Sequence, residues 1–109
     1  MFFKKKPKVE SAPNLFPLFI EIATELYHSV ATTNEQKLSG VLSFDDQQRI
    51  SGIKNLTLDG YPKVPPAEFV EKINGLTRSL KSLPAIYKIK TLTVSVEDGQ
   101  VNADAEYME

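Results

Sequence analysis

The stretch 91–107 leaves this chain little conformational freedom. Leu92, Val94 and Val96 alternate with Thr91, Thr93 and Ser95. After Glu97-Asp98-Gly99-Gln100, Val101, Ala103, Ala105 and Tyr107 alternate with Asn102, Asp104 and Glu106. A period of two puts the apolar side chains on one face of a strand and the polar ones on the other. Asp-Gly between two such runs marks a two-residue hairpin, because both turn residues need positive φ. This sets the register. Val96 faces Val101, Val94 faces Ala103 and Leu92 faces Ala105, while the wet face pairs Ser95 with Asn102, Thr93 with Asp104 and Thr91 with Glu106.

The remaining elements are read outward from this hairpin. Leu15, Leu18, Phe19, Ile22, Leu26 and Val30 recur at helical spacing, and Phe16, Ile20, Ala23 and Tyr27 widen the stripe. The spacing predicts a helix over 15–30, with Asn14 as N-cap and Pro17 in the first turn, where its missing N–H does no harm. Residues 31–37 read as a polar loop. Leu38, Leu42 and Phe44 share one face of a strand, and Ser39, Val41 and Ser43 share the other. A polar connection, 45–49, leads to a return strand over 50–58. The apolar parity of that strand breaks between Ile50, Ile53 and the pair Leu56, Leu58, so a bulge is expected near Gly52.

Asp59-Gly60-Tyr61-Pro62 reads as a turn. A second helix is expected from Pro65-Pro66 to Pro84, with Phe69, Ile73, Leu76, Leu80 and Leu83 as one stripe. Gly75 inside it costs about 1 kcal/mol against alanine, with close backbone packing as one reason to keep it. The order α-β-β-α-β-β predicts an α+β fold: a four-stranded antiparallel sheet with two helices on one face and the other face open.

A chain of 109 residues fits one domain. Residues 1–13 are expected to form a basic, flexible N-terminal tail, and residues 14–109 the domain. Phe2 and Phe3 are read as part of that tail. No stretch approaches the ~20 apolar residues of a membrane helix. Beyond the N-terminal lysines the chain is polar and broken by proline, so no signal peptide is expected. A cytoplasmic location is the expectation. The net charge is −1, but Lys4, Lys5, Lys6 and Lys8 give the first eight residues +4, so the rest carries −5. An acidic body argues against a nucleic-acid binder.

The residues offer little for catalysis. There is no cysteine, which removes disulfides and thiolate zinc sites. The single histidine, His28, lies where it would favour the C-terminal dipole of the first helix. No serine sits in a Gly-x-Ser-x-Gly elbow, and the five glycines are scattered singly. Asp45-Asp46, with no third acid at calcium-loop spacing, reads as a pair of solvated turn formers. No enzymatic activity, cofactor or metal is expected.

The acidic face of the closing hairpin carries the functional reading. Asn102, Asp104 and Glu106 point the same way beside Thr91 and Thr93, with Glu97 and Asp98 at the turn and Glu109 at the end. Two readings stay open. The face is either complementary to a basic protein partner or an ordinary wet sheet face whose acids guard an edge strand.

The element order and the closing hairpin, Thr91 to Glu109, together with the helix that opens Pro66-Ala67-Glu68-Phe69-Val70-Glu71-Lys72-Ile73, resemble the YezG-like immunity (antitoxin) family of bacterial polymorphic toxin systems. The resemblance covers roughly residues 15–109. It implies stoichiometric inhibition of a partner toxin, often a nuclease with a basic active cleft. The alternative from a different class is a dimeric, chaperone-like or structural binding module of a secretion system.

Overall fold

A computed structural model of the chain describes residues 14–108. The expected basic tail, 1–13, and Glu109 lie outside the described residues. The order is helix α1 (Phe16–Val30), strands β1 (Leu38–Phe44), β2 (Ile50–Leu58) and β3 (Tyr61–Pro62), helix α2 (Ala67–Thr77), two 3₁₀ turns (Arg78–Ser82 and Ala85–Tyr87), and strands β4 (Ile89–Glu97) and β5 (Gln100–Tyr107). The sheet is antiparallel throughout and runs β3-β2-β1-β4-β5.

The fold is α+β as expected, with one correction: among the described residues the sheet has five strands, not four. Asp59 (φ 54°) and Gly60 (φ 85°) make a tight turn, and the chain pairs back at once, Leu58 with Tyr61 and Thr57 with Pro62. Pro62 has no N–H to give, which an outer strand tolerates.

The closing hairpin has the expected register in every pair from Thr91–Glu106 to Val96–Val101, and its turn residues Asp98 and Gly99 have φ of 53° and 76°. Strand β2 bulges twice rather than once. Ser43 pairs with Gly52 and Phe44 with Ile50, leaving Ser51 extra beside the expected position. Ser39 pairs with Thr57 and Val41 with Lys54, so Asn55 (φ 56°) and Leu56 together oppose Gly40. Each extra residue resets the alternation, which brings Ile50, Ile53, Leu56 and Leu58 to one face. The bulge needs Gly40: a Cβ there would stand 2.8 Å from Leu56 Cδ1.

Both helices pack on one face of the sheet. Phe19, Ile22 and Leu26 of α1 and Phe69 and Ile73 of α2 meet Leu38, Leu42, Phe44, Leu58, Ile89, Leu92, Val94 and Val96, all buried. Helix α1 lies over β4 and β5, where Ala103 and Ala105 leave it room, and α2 approaches β2. Burial of each large aliphatic side chain contributes about 1.5–3 kcal/mol, so this layer is the main source of stability.

Three local expectations change. The residue at the N-cap of α1 is Leu15 rather than Asn14, although Asn14 Oδ1 still accepts from Phe16 N at 3.3 Å. Helix α2 stops at Thr77 and tightens into a 3₁₀ turn. Thr77 Oγ1, fully buried, lies 3.1 Å from Ile73 O and 2.6 Å from Gln48 O, a back-bond of the kind that disturbs a helical ladder. Gly75 serves no close packing, since nothing lies within 4 Å of where its Cβ would be.

Candidate functional site

Strand β5 lies at one end of the sheet, and among the described residues nothing pairs with its outer side. The pair flanking a two-residue turn exchanges both backbone hydrogen bonds, and bonding alternates from there. With Glu97 opposite Gln100, the backbone groups of Asn102, Asp104 and Glu106 turn inward to β4. Those of Val101, Ala103 and Ala105 point out from the edge.

The sequence-predicted site residues fall into two groups. Thr91, Thr93, Asn102, Asp104 and Glu106 share the face of the sheet that no helix covers among the described residues. Asn102, Asp104 and Glu106 are exposed, as is Thr93, and Thr91 is half-buried. The rise of an extended chain sets Asp104 and Glu106 about 7 Å apart. Thr91 Oγ1 donates to Glu106 Oε1 at 3.3 Å. Across the uncovered face the rows continue through Ser39, Val41 and Ser43 of β1, a flat surface of small side chains.

Glu97 and Asp98 stand apart from this row. The backbone of Asp98 makes the turn (φ 53°), and its exposed carboxylate, beyond the end of the row, pairs with no cation among the described residues. Glu97 pairs with Lys37 at 3.2 Å, both well exposed, so its charge is answered and the pair contributes little to stability. Sequence spacing could not show this contact, because Lys37 reaches Glu97 only through the pairing of β1 with β4. Among the described residues no cation pairs with Asp104 or Glu106. Glu109 lies outside the described residues.

Tyr107 ends the same strand. Burial pushes its phenol above the ordinary tyrosine value, and the carboxylate of Asp104 raises it further. Negative charge at the phenol is thus opposed by the acid that marks the site.

Asp45 and Asp46 act in the β1–β2 loop. Asp45 Oδ1 accepts from Gln47 N at 2.9 Å and Arg49 N at 3.0 Å, and Asp46 pairs with Lys88 at 3.1 Å. His28 is exposed near the end of α1. Among the described residues no three His, Asp or Glu side chains gather as metal ligands would.

The arrangement offers a row of negative charge beside a free strand edge. It suits recognition of a basic, extended surface through charge and backbone hydrogen bonds together. Compared with known families, curated proteins and solved structures, the chain matches none.

Proposed function

We propose that the chain is an immunity protein, which neutralises a bacterial toxin by docking β5 against a basic surface of it and covering the active cleft. One observation carries the reading. The acid of the hairpin is concentrated on Asp104 and Glu106, exposed on an outer strand and unanswered by any described cation. A nuclease cleft, which must hold phosphates, is basic and fits that row. The chain acts by stoichiometric binding, in the cytoplasm, without chemistry of its own. Among the described residues no helix is long and apolar enough to cross a membrane.

The reading predicts a toxin domain encoded beside this gene, and the test is co-expression with it. The chain should restore growth and form a one-to-one complex. The double substitution Asp104→Lys with Glu106→Lys should slow association at least tenfold, since rim charges act mainly on the on-rate, and should weaken protection. Undiminished protection by the double variant removes this surface. Light scattering on the free chain separates the alternative of a chaperone-like dimer, which requires stable self-association.

A further inference from the structure

We propose a second site at the other end of the molecule: the groove between the β1–β2 loop and α2 binds the phosphate group of a small molecule. The groove is open to solvent and offers about 460 Å³, within the range of small-molecule sites and larger than a lone phosphate needs. Arg49 enters it from the loop, and Arg78 and Lys81 from the 3₁₀ turn after α2. Residues three apart eclipse in a 3₁₀ turn, so Arg78 and Lys81 rise on the same side. Arginine forks suit phosphate oxygens in a bidentate way, and lysine adds a point charge. Glu71 also lines the groove, and three cations against one acid leave the lining with a net positive charge.

The amides of the lining complete the donor set. Asn74 Oδ1 is already taken by Ile50 N at 2.8 Å, which leaves its NH₂ group, a donor, for the groove. Gln47 contributes a second amide.

The groove is held in shape before any ligand arrives. Gln48, between the lining residues Gln47 and Arg49, is fully buried. Its carbonyl takes the Thr77 hydroxyl at 2.6 Å. With the Ile50–Asn74 bond, this fastens the loop to α2 at two points. Binding then costs little ordering of the backbone walls, and the ordering that remains is that of the exposed Arg49, Arg78 and Lys81 side chains.

Gly75 gives an independent signal. It lies inside a helix, where glycine is unfavourable, yet its φ is not in the left-handed region and nothing lies within 4 Å of its missing Cβ. Neither backbone geometry nor packing requires a glycine here. It lines the groove, and any side chain at that point stands in the space a ligand would fill.

The experiment is an NMR titration of the full ¹⁵N-labelled chain with inorganic phosphate and pyrophosphate, set against sodium chloride at matched ionic strength. The amides of Gln47, Arg49, Gly75 and Arg78 should shift saturably, and those of Asp104 and Glu106 should not move. Arg78→Ala and Lys81→Ala should each weaken binding about tenfold, the effect of one charge-assisted hydrogen bond. Gly75→Leu should abolish binding with an unchanged or raised melting temperature, which separates a filled groove from a lost fold. Shifts that never saturate, that chloride reproduces, or that persist in Gly75→Leu overturn the proposal. The docking face at β5 has no part in this test, so each reading can fail alone.

Discussion

The side-chain amide of Gln48 takes the place of a missing strand residue beside Ile89. Ile89 N donates to Gln48 Oε1 at 2.7 Å, and Gln48 Nε2 donates to Ile89 O at 2.9 Å and to Asp45 O at 3.1 Å. Gln48 also adopts φ 60°, a conformation usual for glycine at the end of a three-residue hairpin loop. The hydrogen bonds offset that strain. Gln48→Ala should cost about 2–4 kcal/mol in a denaturant titration, because buried backbone groups lose their partners. Gln48→Gly should also destabilise, though less, since it keeps the backbone freedom. A neutral result for either would show that water replaces the amide.

Two glycines should respond to alanine in opposite directions. Gly75→Ala meets open space inside a helix and should stabilise by up to about 1 kcal/mol. Gly40→Ala drives a methyl toward Leu56 Cδ1 at 2.8 Å and Leu56 Cα at 3.3 Å. Backbone cannot swing away as a side chain can, so about 1–3 kcal/mol should be lost. Urea midpoints of the two variants check both signs.

Tyr107 makes a small part of the stability sensitive to alkali. Its phenol is raised in the folded state, first by burial and then by Asp104, so folding favours the neutral form. The stability it contributes is complete below the ordinary tyrosine value, about 10, and is lost as pH climbs through the folded value. Asp104→Asn should bring the phenol partway down in a spectrophotometric titration, and Tyr107→Phe should flatten this part of the stability profile. A Tyr107 titration unmoved by Asp104→Asn would refute the coupling.

Tyr27 should govern one loop. Its hydroxyl lies 2.9 Å from Thr33 O and 3.0 Å from Gln36 O, and it accepts from Gln36 N at 3.1 Å. Tyr27→Phe keeps the ring in the core and removes these bonds. The expected loss is about 1–2 kcal/mol, with amide hydrogen exchange quickened over residues 31–37 and little changed in β4.

Where a signal was local, it was legible in the sequence. Asp98-Gly99 between alternating runs fixed the whole register of the closing hairpin, and with it the shared face of Thr91, Thr93, Asn102, Asp104 and Glu106. The same dipeptide at Asp59-Gly60 also turns a strand back, but only two residues pair before proline-rich chain, too few to show an alternation. Gln48 was illegible for a different reason: a polar residue in a polar loop looks solvated, and its partner Ile89 lies 41 positions away. The early end of α2 has the same origin, since Thr77 bonds to that loop. The opposed charge of Glu97 likewise depends on a strand neighbour that spacing does not reveal.

The two rims of the sheet differ in kind. One is closed by a two-residue strand ending in proline, which can offer no further N–H at that point. The other is eight residues long and carries a carboxylate at two alternate positions, Asp104 and Glu106. Were two copies to meet there in antiparallel order, each would bring its own acids against the other's, and like charges facing across strands repel. The charge along the open rim thereby works against pairing with a twin at that edge.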